Sequence, residues 1–297
     1  MTPYHLYNPF HYLKVRHLLL RGLLISLGLG FALGFIQGSI RVQLDGQLLM
    51  LLLYILIFGL LSAWELVDFN RLGIKLKHVV GNVPNNHKWL PTAGLVILML
   101  LFSLSAYLVS FYLLSLAAPS FIEELMRQVA ADASPRTSAP LLYNLLVAIV
   151  YVVVAPIAEE FLFRGIILQR WATKWGIRTA LLASSLMFGI GHANVVGLSL
   201  FGVIMGVLYI KTRTLIVPIA CHALNNLLAV ALGFLSDGSN ATASTNVLEE
   251  LRSGWRVGIL LMLVSLPLLV RFLYQNWPRK NAVVPYFLNI DQEVGEE

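Results

Sequence analysis

PLLYNLLVAIVYVVVAPIAEEFLFRGIILQR, residues 140–170, sets the reading of the whole chain. Residues 140–158 carry no charge, and an apolar helix of about 20 residues is what crosses a bilayer's hydrocarbon core. Two adjacent acids, Glu159 and Glu160, and a base, Arg164, then fall inside the same run, and apolar residues resume after them. A charged side chain at mid-span costs about 2.5–3.5 kcal/mol on insertion scales, so such groups mark function by default. The stretch therefore reads as a membrane span with a polar cluster inside it.

Working outward, the same apolar pattern recurs at 18–40, 47–67, 90–118, 178–192, 196–211, 214–235 and 255–274. With 140–170 these make eight expected spans. Only helices or closed barrels satisfy their backbone in lipid, and runs of this length select helices. The expected fold is all-α: a polytopic transmembrane helix bundle forming a single membrane domain over 1–297. The composition agrees, with 58% hydrophobic residues, 12% charged residues and a mean hydropathy of +0.77, against about a quarter charged in soluble chains. Segment 120–139 reads as a short surface helix plus loop, and 281–297 as an exposed tail. No removable signal peptide is expected.

The formal charge of +6 does not point to nucleic acid, because the Lys and Arg residues are scattered between spans with no basic stripe. They read as orientation signals instead. Lys14, Arg16 and Arg21 precede the bundle. Arg71, Lys75, Lys77 and Lys88 lie in 68–89, Arg170, Lys174 and Arg178 in 170–178, Lys211 and Arg213 at one turn, and Arg271, Arg279 and Lys280 near the end. The alternate connections are poorer: Arg41, an acidic 119–139, a bare turn at 193–196, and Arg252. This alternation predicts an integral membrane protein, of the bacterial inner-membrane kind, with both termini cytoplasmic. The single cysteine, Cys221, excludes an internal disulfide. Gly30, Gly34 and Gly38, and Gly202 and Gly206, follow the small-xxx-small spacing that lets helices approach closely in lipid, and are expected to pack within the bundle.

Buried polar groups are expected in three later helices: Glu159, Glu160 and Arg164; His192; and His222 with Asn225 and Asn226. His5, His11, His17, His78 and His87 lie outside the apolar runs and read as surface residues. At a 1.5 Å rise per residue, Glu159 is roughly 17 Å, His192 roughly 21 Å, and His222 and Asn226 roughly 14 and 20 Å from the basic ends of their helices. Glu160 and Arg164 are four apart in the better order for a helical ion pair; His222 and Asn226 share a face at the same spacing. Pro156 and Pro218 each remove a backbone donor just before a cluster. Peptide hydrolysis in a membrane needs water, a base and donors for the tetrahedral oxyanion. Arg164 would neutralise Glu160 and leave Glu159 to take a proton from water. His192 would hold that water, and His222 and Asn226 would donate to the oxyanion. Zinc held by Glu159, His192 and His222 is the competing use of the same residues, although no His-Glu-x-x-His helix is present; no cofactor is the favoured reading.

These residues resemble a known family. Glu159-Glu160-Phe-Leu-Phe-Arg164 matches the EExxxR signature of the CAAX-protease and bacteriocin-processing (CPBP or Abi) membrane proteases. Phe188-Gly-Ile-Gly-His192 matches its FxxxH motif and His222-Ala-Leu-Asn-Asn226 its HxxxN motif. The resemblance implies a protease core over 140–232, an eight-helix bundle and a conical cavity open to the cytoplasm. It also implies that Glu159 and His192 activate water, that His222 and Asn226 stabilise the oxyanion, and that Glu160 and Arg164 support them. The expected function is an intramembrane endopeptidase, a hydrolase acting on a membrane-associated or lipidated polypeptide, with the bilayer as its other partner. The alternatives are a proton-coupled transporter, since buried Glu and His also build relays, and a non-catalytic peptide-binding or immunity protein.

Overall fold

The computed structural model describes residues 8–40, 45–133, 137–237 and 247–296. Among them there is no strand. Over the described residues the chain is an all-α polytopic bundle with seven helices long and apolar enough to span a membrane. The helices are α1 (Val15–Ile40), α2 (Gly46–Leu72), α3 (Leu76–Val80), α4 (Trp89–Ala117), α5 (Pro119–Ala133), α6 (Pro140–Trp175), α7 (Ile177–Ile190), α8 (Val195–Thr212), α9 (Ile216–Asp237), α10 (Val247–Asn276) and α11 (Pro285–Glu296). His5 and Arg41 lie outside the described residues.

The eighth expected span, 178–192, is the exception. It forms α7, only 14 residues long, or roughly 21 Å at 1.5 Å per residue. His192 therefore sits in the turn after the helix, not within it.

α6 runs unbroken for 36 residues, but its winding changes. Val150–Val154 and Phe161–Leu168 open into wider π-turns on either side of Ala155–Glu160. Pro156 has no N–H to donate to a carbonyl one turn back, and a π-turn accommodates that loss without breaking the rod. Pro218 behaves differently from expectation. It falls in the first turn of α9, where backbone donors have no intrahelical partner in any case.

α8 is the central rod, with 56% of its apolar window buried against 0% for α1. Its glycines explain the difference in part. A Cβ on Gly202 would lie 3.0 Å from the Ser185 backbone, and one on Gly206 2.4 Å from Leu181, so α7 and α8 touch backbone to side chain as the small-residue spacing predicts. Gly30, Gly34 and Gly38 correct that expectation for α1: nothing lies within 4 Å of their Cβ positions. α1 is held nearer its start, where Arg21 bonds Glu65 at 2.8 Å and Asp68 at 2.6 Å on α2. Glu65 is buried, so ionisable groups are not confined to the three later helices.

The basic connections meet at one end of the bundle. The Leu215 N–H donates to the Val80 carbonyl (2.7 Å), the Tyr209 hydroxyl to the Val79 carbonyl (2.9 Å), and Asn289 Nδ2 to the carbonyls of His78 and Arg213 (2.8 and 2.9 Å). Gly81 makes this contact feasible: its φ is +64° and a Cβ there would lie 2.1 Å from the Arg213 carbonyl oxygen. Two sequence expectations are corrected here. His78 is buried, not on the surface, and bonds Glu293 together with Lys77. Residues 281–297 are not an exposed tail over their described part. Val284, Tyr286 and Phe287 are apolar enough to bury, and they dock α11 onto the core around Phe10, Phe69 and Ile166.

Candidate active site

Each of the three polar clusters contributes to the lining of one cavity of about 520 Å³. Glu159 comes from the middle of α6, His192 from the α7–α8 turn, His222, Asn225 and Asn226 from α9, and Tyr54 from α2. Tyr151, Ala155, Glu159 and Phe163 line it at successive four-residue steps, the spacing that keeps one helix face toward a common space.

Behind the wall, Glu160 is the hub. Arg164 NH1 donates to its Oε1 at 3.0 Å, and His222 Nδ1 approaches the same oxygen at 3.0 Å. Arg164 NH2 donates to the Gly202 carbonyl (3.0 Å), and its guanidinium lies 4.9 Å over the Phe188 ring. The pair is fully enclosed, with side-chain exposures of 3% and 0%. Glu160 and Arg164 therefore do not reach the cavity; they fix what does.

The imidazole tautomers follow from their partners. His192 Nδ1 lies 2.7 Å from the Phe188 carbonyl, which can only accept, so Nδ1 carries the proton and Nε2 the lone pair. His222 Nδ1–H likewise donates to the Glu160 carboxylate, leaving Nε2 toward Glu159 Oε2 at 3.9 Å. His222 Nε2 can thus donate a hydrogen bond only as imidazolium. Phe188 and Phe201 pack edge-on against the His222 ring, 6.1 and 5.0 Å between centroids. The Tyr54 hydroxyl donates to Glu159 Oε1 at 2.7 Å. Asn226 Nδ2 donates to the Tyr151 carbonyl at 2.8 Å, so one of its two amide hydrogens is already committed. Asn225 Oδ1 and Glu160 Oε2 are buried with no hydrogen-bond partner among the described residues.

The zinc alternative meets a test here. Among the described residues no three His, Cys, Asp or Glu side chains come together as a metal-holding group. Glu159, His192 and His222 thus do not form a preassembled zinc site in this arrangement.

Direction matters as much as composition. From Phe163, Phe188, Phe201 and His222 the lining extends along every helix away from the basic end, to Tyr151, Tyr54, His192 and Val230. Toward the basic end it stops against Arg164, Phe188 and Phe201, all buried. The described lining thus lies on the side of Arg164, Phe188 and Phe201 away from the basic connections.

Tyr54 is the contact the motifs miss, 105 residues upstream of its partner. Comparison with known proteins bears on the rest. Residues 141–228 match the model of the type II CAAX prenyl endopeptidase Rce1-like family. The matched segment contains Glu159, Glu160, Arg164, His192, His222 and Asn226. The chain is also 38% identical over 90 residues to the "Putative membrane peptidase YdiL" of Bacillus subtilis (strain 168), covering 29% of this chain and 37% of that protein. It thus spans little more than a third of the curated relative's length. No solved structure matches the chain. The motif-bearing part of α6, α7, α8 and most of α9 lies within the matched segment, whereas α2 with Tyr54 lies outside it. At this level the molecule is an integral membrane protein with a membrane-protease-like core.

Proposed function

We propose that the chain is an intramembrane endopeptidase that hydrolyses peptide bonds of membrane-associated or lipidated polypeptides with glutamate-activated water. The observation that carries this reading is the convergence of Glu159, His192, His222 and Asn226 on one cavity wall, with Glu160 and Arg164 bonded behind them. Residues 140–232 form the protease core in this scheme.

Water sits against Glu159 and the lone pair of His192 Nε2. Its oxygen attacks the scissile carbonyl carbon while its proton passes to Glu159. The negative oxygen of the tetrahedral intermediate is met by the remaining Asn226 amide hydrogen and by His222 Nε2–H when that ring is protonated. Collapse breaks the C–N bond, and the proton held by Glu159 moves to the leaving amine. Tyr54 fixes Glu159 by one oxygen and leaves the other for water. Each oxyanion donor of this kind contributes about 10²–10³ in turnover.

With the basic end in the cytoplasm, as the charge alternation predicts, substrate would reach Glu159 from mid-bilayer and the far leaflet. The decisive experiment compares membrane peptides by mass spectrometry in cells carrying the intact protein or Glu159→Gln. Products found only with the intact protein support the reading; identical peptide sets at equal expression reject it.

A further inference from the structure

At the basic end, the segment entering α1 and the last turns of α6 line a separate, open hollow of about 310 Å³. Four of its lining side chains are cations, Lys14, Arg16, Arg170 and Lys174, and none is a carboxylate. Some other cations at this end are neutralised: Arg21 by Glu65 and Asp68, Arg71 by Asp68, and Lys77 and His78 by Glu293. Among the described residues these four have no ion pair; Arg170 bonds only Thr173, and Lys174 lies 5.1 Å over the Trp175 ring. Membrane orientation asks only that basic residues flank spans. It does not ask residues 14–16 and 170–174 to converge on one hollow, where their like charges repel.

Trp171 and Trp175 complete the wall. Indoles at the end of a span sit at headgroup level, the depth at which lipid phosphates lie. We propose that this cavity binds the phosphate headgroup of an anionic phospholipid such as phosphatidylglycerol, with the four cations on the phosphate oxygens and the two indoles along the glycerol and upper acyl chains.

The test is native mass spectrometry of the full-length protein from micelles containing equal phosphatidylglycerol and phosphatidylcholine, a readout that needs no proteolysis. Intact protein retains phosphatidylglycerol in preference. Lys14→Gln/Lys174→Gln weakens retention about 30-fold, at roughly fivefold per cation near a lipid surface. Arg279→Gln/Lys280→Gln removes the same charge from the same end outside the cavity and changes retention less than about twofold. An equal loss in both double variants, or equal retention of the two lipids by intact protein, overturns the proposal. Displacement of the lipid by millimolar inorganic phosphate also overturns it, in favour of a soluble phosphate site. If the cavity variant does not fold, the lipid preference of intact protein against rising sodium chloride decides, because a charge-held headgroup must be lost with salt.

Discussion

Arg164→Met isolates the contribution of the buried hub behind the cavity. In the intact protein the guanidinium bonds Glu160 and the Gly202 carbonyl and lies over Phe188. Both charged side chains are almost wholly excluded from solvent, at 3% and 0% exposure, so removing the cation leaves an uncompensated carboxylate. Breaking such a pair from one side costs about 3–5 kcal/mol, and losing the cation–π contact adds about 0.5–2 kcal/mol. That is a large part of a typical total stability of about 5–15 kcal/mol. The double variant Glu160→Gln/Arg164→Met removes both charges, keeps an acceptor for His222, and is expected to recover most of the loss. Titration of the purified protein in micelles with sodium dodecyl sulfate, followed by the fluorescence of its six tryptophans, measures each cost. A single variant within about 1 kcal/mol of the intact protein, or a double variant no more stable than the single, would refute the argument that Arg164 serves chiefly to neutralise Glu160.

Tyr54→Phe removes a donor to a carboxylate, worth about 1.5–3 kcal/mol, and is expected to lower kcat by about 10- to 100-fold with little change in KM; initial rates on an identified substrate check this, and an unchanged kcat removes Tyr54 from the site. Gly202→Ala drives a Cβ into the Ser185 backbone at 3.0 Å and should cost about 1–3 kcal/mol, whereas Gly34→Ala, with open space around it, should be neutral or stabilising by up to about 1 kcal/mol; thermal unfolding separates them. Lys77 and His78 hold the Glu293 carboxyl down at about 2, below its ordinary 4.5. A depressed carboxyl stabilises the fold above its unfolded value and ceases to as pH falls through the folded one. The docking of α11 should therefore weaken as pH drops from about 4.5 toward 2 and stay flat from 5 to 9 for this group, as read by hydrogen exchange over 285–296.

What the sequence discloses about the site is what local spacing encodes. Glu160 and Arg164 share a helix face by their four-residue interval, and their ion pair is present at 3.0 Å. The common depth of Glu159, His192 and His222 corresponds to one cavity. Tyr54 carries no such signal: a tyrosine in an apolar span is ordinary, and its partner is 105 residues away. The α1 glycines and the α8 glycines have the same spacing, yet only the second set meets a neighbour, because spacing permits close approach without supplying a partner. The docked terminal helix was hidden for a related reason. A polar segment reads as exposed until Gly81 and Arg213 offer it a surface, and that surface exists only after α3 and α8 have assembled.

The shortness of α7 has a consequence for the solvent. Its 14 residues reach roughly 21 Å into a hydrocarbon layer of about 30 Å, and a bilayer meets a segment too short for it by thinning locally. Where thinning is the response, the lipid would dip around the exposed turn at Gly191 and Ala193, and the aqueous phase with it. Under the proposed function, the distance a water molecule travels to His192 would then depend on local bilayer thickness, and lipid chain length would become a control on how readily that water arrives.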